Sequence, residues 1–304
     1  MGTSSWNPGA WSAYAATTSH RSAKAIFARR AIDPALDPKN IKVRESRDSA
    51  ANPNSTPIIV ALDVSGSMGV LAENLVREGL GVLFQGILDN NVIPSPHLMA
   101  MAVGDAACDR APLQATQFET DIVITDQIER LYIEGGGGGN QHESYQLPWY
   151  FAATQTSTDS FEKRGKKGFL FTVGDEFPPD GLSARDIERT FGTPATQDMS
   201  LREVLTMAER MYHVFHVVVE QGDFARRNPE EVVDRWKEVL GQRVIRLADH
   251  TKLSEVVMAA IEVTLGASAA TVAKRWTGKT AAVVARAVSG LPAVKAPTSN
   301  LVRF

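Results

Sequence analysis

Ile58-Ile59-Val60-Ala61-Leu62-Asp63-Val64-Ser65-Gly66-Ser67-Met68-Gly69 is the stretch from which the fold can be read. Five apolar residues open it, and Ile58, Ile59 and Val60 are β-branched, as expected of a strand buried on both faces of a parallel sheet. Asp63, Ser65 and Ser67 then alternate with Val64 and Gly66, and Gly69 closes the turn. Residues 70–88 follow, with Leu71, Leu75, Leu80, Leu83, Phe84, Ile87 and Leu88 at near-helical spacing. A carboxylate and two hydroxyls therefore gather on a loop between a strand and a helix. A hard divalent cation takes this donor set, and glycine lets the backbone turn tightly around the ion. The bland alternative is a serine-rich turn that only caps the helix. Mg²⁺ is the expected occupant, with Mn²⁺ or Ca²⁺ as alternatives.

Strand-like runs recur at 98–103, 169–173, 213–219 and 244–247, and 113–118 reads as a short edge strand. Helical patterns lie between and after them at 121–132, 145–154, 201–211, 229–240 and 253–265, the last amphipathic. Ser200 with Glu203 forms a capping box, and Pro229 with two acids opens the helix it begins. Strands alternating with helices predict an α/β fold: a doubly wound, mostly parallel sheet flanked by helices in three layers, with right-handed crossovers. Ahead of this unit, residues 1–56 read as an extension holding Trp6, Trp11 and a helix over 18–32. That helix has a weak stripe of Ala23, Ile26, Phe27 and Ala31, and Asp33-Pro34 ends it. Behind the unit at 57–266, residues 267–304 read as one extra helix and a loose tail marked by Pro292 and Pro297.

Ligands of open α/β sheets collect outside the carboxyl ends of the strands. Three loops meet that description here: the Asp63 loop, the glycine run 135–139 followed by Asn140, Gln141, His142, Glu143 and Ser144, and Gly174-Asp175-Glu176. The glycine run lacks the Gly-Lys-Ser/Thr ending of a phosphate loop. Together the Asp63-x-Ser65-x-Ser67 pattern and the two later loops resemble the metal-ion-dependent adhesion site of the von Willebrand factor A (VWA) domain family, over roughly residues 57–266. The resemblance implies a VWA-like, Rossmann-type fold and an ion held by Asp63, Ser65, Ser67, a residue of the second loop and Asp175. Where the family normally supplies a threonine on the second loop, this chain offers Glu143, with Asn140 and Ser144 as competing donors. Direct ligation by Glu143 would set three negative charges against the ion's two and weaken its pull on a partner's carboxylate; ligation through water would preserve it. Without the ion, Glu143 reads as a first-turn acid favoured by the helix dipole, and Asp175 as a turn aspartate. Glu176 is expected to face solvent, and Asp105 to contribute at most from outside the ligand set. His142 and Cys108 lack partners at a spacing suited to a softer metal or a nucleophile.

A chain of 304 residues that is 43% hydrophobic and 22% charged has the composition of an ordinary folded protein. A formal charge of -3 and a pI near 6.1 give no reason to expect nucleic acid. One cysteine, a start without a continuous apolar core and no apolar run of spanning length lead us to expect an intracellular, cytoplasmic protein without a membrane span. For function, the resemblance implies a metal-dependent protein–protein interaction module. It would be an adaptor whose ion takes up an acidic side chain of a partner, with MoxR-type AAA+ ATPases as the implied partner class. A structural subunit of a larger assembly, viral ones included, with an ion that only fastens loops, is the alternative. A metal-dependent hydrolase comes third, because no general base has a suitable partner, and a haloacid-dehalogenase phosphatase would need an aspartate where Ser65 stands. No enzymatic activity is expected.

Overall fold

The computed structural model describes residues 4–135 and 142–292, apart from the side chain of Ser67. Its strands in chain order are β1 (Arg44–Ser46), β2 (Ser55–Asp63), β3 (Ser95–Val103), β4 (Leu113–Ala115) and β5 (Thr156–Thr158). There follow β6 (Gly168–Gly174), β7 (Gly181–Leu182), β8 (Met199–Ser200), β9 (Tyr212–Val219) and β10 (Val244–Leu247). A six-stranded sheet runs in the order β10-β9-β6-β2-β3-β4, parallel throughout except for β4 on the edge. β1 pairs with β5, and β7 with β8, in two small ladders outside it.

Alternate residues of each strand feed opposite cores, the period of two that a pleated backbone imposes. Ile58, Val60 and Leu62 join Phe169, Phe171 and Val173 on one face, while Ile59 and Ala61 join Leu170 on the other. The first core is closed by helices Leu80–Asp89, Leu253–Thr264 and Gly278–Val288, the second by Gln146–Thr154, Leu201–Glu209 and Pro229–Leu240. With both faces covered, β2 is apolar from Pro57 to Leu62, and the expected three-layer α/β architecture is the one found. From β2 the chain winds toward β4, and from β6 toward β10. The winding reverses between β2 and β6, and Asp63 and Asp175 stand at the carboxyl ends of these two strands, where ligands of such sheets collect.

The amino-terminal region departs from expectation. Instead of a helix over 18–32, the chain forms Pro8–Thr18 and only a short Ala23–Ile26. Asn7 caps the longer helix by accepting from the Ala10 N–H, and Pro8 takes the first position, where its missing donor costs nothing. Trp6 stacks on Phe84 with ring centroids 4.6 Å apart. Farther on, the Ala115 N–H donates to Leu36 O at 2.9 Å and Arg44 donates to Ala115 O at 3.0 Å, so this region lies along the β4 edge.

Residues 70–89 are helical as expected, with a π-helical segment over Leu75–Gly79. Leu253–Thr264, expected to be amphipathic, is buried along its whole length because further chain packs over its outer face. The single helix expected beyond it is two, Ala269–Ala273 and Gly278–Val288, and Arg275 between them pairs with Glu262. Gly136 to Gly139, Asn140 and Gln141, and the tail beyond Pro292, lie outside the described residues. No helix among the described residues is long and apolar enough to cross a membrane.

His97, on β3, is 1% exposed, and neither ring nitrogen has a hydrogen-bond partner. Burial outweighs the nearby Asp48 charge and pushes its pKa down to about 4. Between that value and the ordinary one near 6.5, the unfolded chain binds a proton that the folded chain refuses, so stability is lost as pH falls through this window. His97→Leu is expected to recover up to about 3 kcal/mol of the acid-side loss. Urea unfolding at neutral and mildly acidic pH measures it, and equal slopes in the two proteins would refute it.

Candidate metal centre

Asp63 ends β2 and is fully buried. Its Oδ1 accepts from the Ser65 N–H at 2.8 Å and from Ser65 Oγ at 2.7 Å, a local closure that Gly66 permits with a φ of +41°. The next turn, Gly66–Gly69, leads directly into the helical run beginning at Val70.

The second loop is drawn in by the end of β3. Ser144 N–H donates to Gly104 O at 3.2 Å, and Ser144 Oγ accepts from the Ala106 N–H at 2.8 Å. Ser144 is thereby occupied structurally, whereas Glu143 beside it is 2% exposed and its Oε2 is buried with no hydrogen-bond partner. Ser65, whose hydroxyl donates to Asp63, also acts on the Glu143 carboxyl, opposing the effect of burial there. Backbone pairing of His142 with Phe177 brings the second loop against the third.

Asp175 follows β6 and is 5% exposed. The loop after β9 clamps it: its Oδ2 accepts from the Phe224 N–H at 2.8 Å and the Ala225 N–H at 3.4 Å. A Cβ at position 222 would stand 2.3 Å from Asp175 Oδ2, so Gly222 is what lets this loop close. Glu176, expected in solvent, is half-buried instead, with Oε2 buried and unpartnered. Asp105 turns onto its own loop, accepting from the Ala107 N–H and from Cys108 Sγ, both at 2.8 Å.

Electrostatics set this rim apart. Burial, then the Asp63 charge, raises the Glu143 carboxyl far above the usual range, and burial with the Asp175 charge raises Asp63. Asp175 is raised by burial, and Glu176 is pushed up to about 7 by burial and by Asp63, Asp175 and Asp105. The charges acting most strongly on Glu143 are Asp63, Glu176 and Asp109, all acidic. Buried carboxylates without a cationic partner are costly, and a bound cation is one remedy. The donor chemistry fits such an ion: oxygens only, with Glu143 Oε2 unpartnered. As the side chains stand, Asp63 and Asp175 face internal donors, and among the described residues no three His, Cys, Asp or Glu side chains are posed around one point. Of the sequence-derived candidates, Asp63, Ser65, Glu143 and Asp175 are thus neighbours; the Ser67 side chain lies outside the described residues.

Tyr145 was not a sequence-derived candidate. Its Oη donates to Asp63 Oδ2 at 2.8 Å, and the ring packs edge-on against His216 and Trp236. In the sequence it reads only as the start of a helix.

No protein-family profile matches the chain, and no curated protein sequence does. Among solved structures, it is similar to the pilus adhesin SpaC from Lactobacillus rhamnosus GG in its open conformation, at 9% identity and a TM-score of 0.47, over 72% of this chain and 31% of that one. A second form of the same adhesin matches at 10% identity and a TM-score of 0.44, over 72% and 32%. This chain therefore spans about a third of the adhesin's length.

Proposed function

We propose that the rim formed by Asp63, Ser65, Ser67, Glu143 and Asp175 is a divalent-cation site of the VWA type, and that the protein acts through it as a metal-dependent protein-binding module. One observation carries the reading: Glu143 and Asp63, from separate loops, are buried side by side with Asp175 nearby and no cation among the charges that most affect them. Mg²⁺, with Mn²⁺ or Ca²⁺ as alternatives, would supply the missing positive charge and offer a coordination position to an acidic side chain of a partner. A MoxR-type AAA+ ATPase is the partner class that the resemblance suggests, with the protein as its adaptor inside the cell.

Because Glu143 and Asp63 hold protons above the usual carboxylate range, cation binding near neutral pH is expected to release protons. Calorimetric titration with Mg²⁺ in buffers of different ionisation heat reads this as a buffer-dependent enthalpy. A buffer-independent heat would mean that these carboxyls are not the ligands. Capture of partners in the presence and absence of a chelator then tests the adhesive role.

The burial of Glu143 at 2% exposure favours a second reading, in which the ion only fastens loops in a structural subunit of a larger assembly. Mg²⁺ would then raise the melting temperature and leave partner capture unchanged. A hydrolase using water on the same ion remains a third reading, to be tested by assaying phosphoesters and peptides with Mn²⁺.

A further inference from the structure

The acidic rim contains one fully buried phenol, and its placement depends on two features far apart in sequence. Tyr145 Oη lies 2.8 Å from Asp63 Oδ2, the carboxylate oxygen that Ser65 does not reach. With Ser65 on Oδ1 and Tyr145 on Oδ2, the Asp63 carboxylate is held from both ends and its plane is fixed. A Cβ at position 174 would stand 2.0 Å from Tyr145 Oη, so the phenol has room only because β6 ends in glycine. The ring cannot swing elsewhere. His216 meets it edge-on at 4.9 Å between centroids and Trp236 at 5.6 Å, while His216 itself lies flat on Trp236 at 3.6 Å and is held by Thr172 Oγ1, 2.9 Å from its Nδ1.

Resting on the cation-site reading, we infer that Tyr145 is a positioning residue for that site: seated in the notch left by Gly174, it anchors one oxygen of the Asp63 carboxylate and so governs how that carboxylate can present itself to the ion. A buried tyrosine needs only one polar partner, and Tyr212, the other fully buried phenol, has a neutral one in Thr156 Oγ1 at 2.7 Å. Tyr145 instead addresses the carboxylate that begins the Asp63-x-Ser65-x-Ser67 pattern. Partners of metal ligands that set ligand orientation typically change metal affinity 10–100-fold when removed.

The test is Mn²⁺ binding to the full chain, followed by calorimetry and by intrinsic tryptophan fluorescence, to which Trp236 beside the phenol contributes. Tyr145→Phe keeps the ring and its packing, and is expected to raise the Mn²⁺ Kd by roughly 10–100-fold, while the chelator-treated protein keeps its far-ultraviolet circular dichroism and loses no more stability than one buried hydrogen bond accounts for. Gly174→Ala, which keeps the phenol but fills its notch, is expected to weaken binding in the same direction. A Kd for Tyr145→Phe within about twofold of wild type, or a loss no larger than its drop in metal-free stability explains, overturns the assignment. Absence of Mn²⁺ binding by the wild-type protein is a different outcome, which removes the cation site itself.

Discussion

In Asp63→Asn, Mg²⁺ binding falls by roughly 100-fold or more, while the chelator-treated protein melts no lower than wild type at about pH 8. The first effect follows from charge. Two unit charges 4 Å apart attract by about 4 kcal/mol at an effective dielectric of 20, a divalent ion doubles that, and a loss of even a third of it after desolvation is a factor of roughly 100. The second effect has the opposite sign. Burial raises the Asp63 carboxyl above its usual range, so above the ordinary carboxylate value the folded chain keeps a proton that the unfolded chain gives up. Stability of the cation-free protein therefore falls as pH rises through that window, and the neutral amide removes this share of the fall. Mg²⁺ titration and melting curves with a chelator, run on both proteins across neutral pH, separate the two effects. An unaltered Mg²⁺ titration in the variant would place the ion elsewhere.

Trp236→Ala is expected to cost about 3–5 kcal/mol of stability, the range for emptying a large aromatic site in a close-packed core. Trp236 is fully buried on the helix Pro229–Leu240, stacks on His216, meets Tyr145 and Trp149 edge-on, and donates from Nε1 to Glu176 O at 2.9 Å. Its removal leaves a cavity directly beneath the acidic rim and frees the Glu176 carbonyl. Chemical denaturation measures the first loss, and the Mg²⁺ affinity of the remaining folded protein measures how far the rim depends on this support. Trp236→Phe, which restores most of the volume but not the Nε1 donor, is expected to recover the larger part of the stability. A cost below about 1 kcal/mol for Trp236→Ala would show that the neighbouring rings collapse into the gap.

What could be read from the sequence is what the chain writes locally. β2 and its loop are legible because burial on both faces forces a continuous apolar run and because Asp63 and Ser65 reach each other across one turn. The helix Pro229–Leu240 and the strand Val244–Leu247 carry their own end signals and lie where the pattern puts them. Glu143 and Asp175 were singled out through the resemblance, as the residues that stand where that family's second and third loops would supply ligands; both are buried at the ends of the loops the topology brings together.

Tyr145 and Gly222 were not legible, because what defines each is an atom supplied by another loop: Asp63 Oδ2 for the phenol and Asp175 Oδ2 for the glycine. Glu176 was misplaced for the same reason, since nothing in Gly-Asp-Glu says which acid the following loops will cover. The helix Pro8–Thr18 escaped notice because its anchoring is tertiary: Trp11 overlies Gly81, where a Cβ would meet the indole at 2.1 Å.

The hydrogen bonds that join Leu36 and Arg44 to Ala115 have a practical consequence for anyone who would trim this protein. They sew shut the outer margin of the sheet, where a three-residue strand would otherwise offer bare peptide groups to any extended chain passing by. A version begun at the central strand would lose that hem and, with it, the indole of Trp6 that roofs Phe84. Such a fragment should clump or pair with itself rather than persist as a tidy single molecule, so the first fifty residues belong in the smallest preparation worth making.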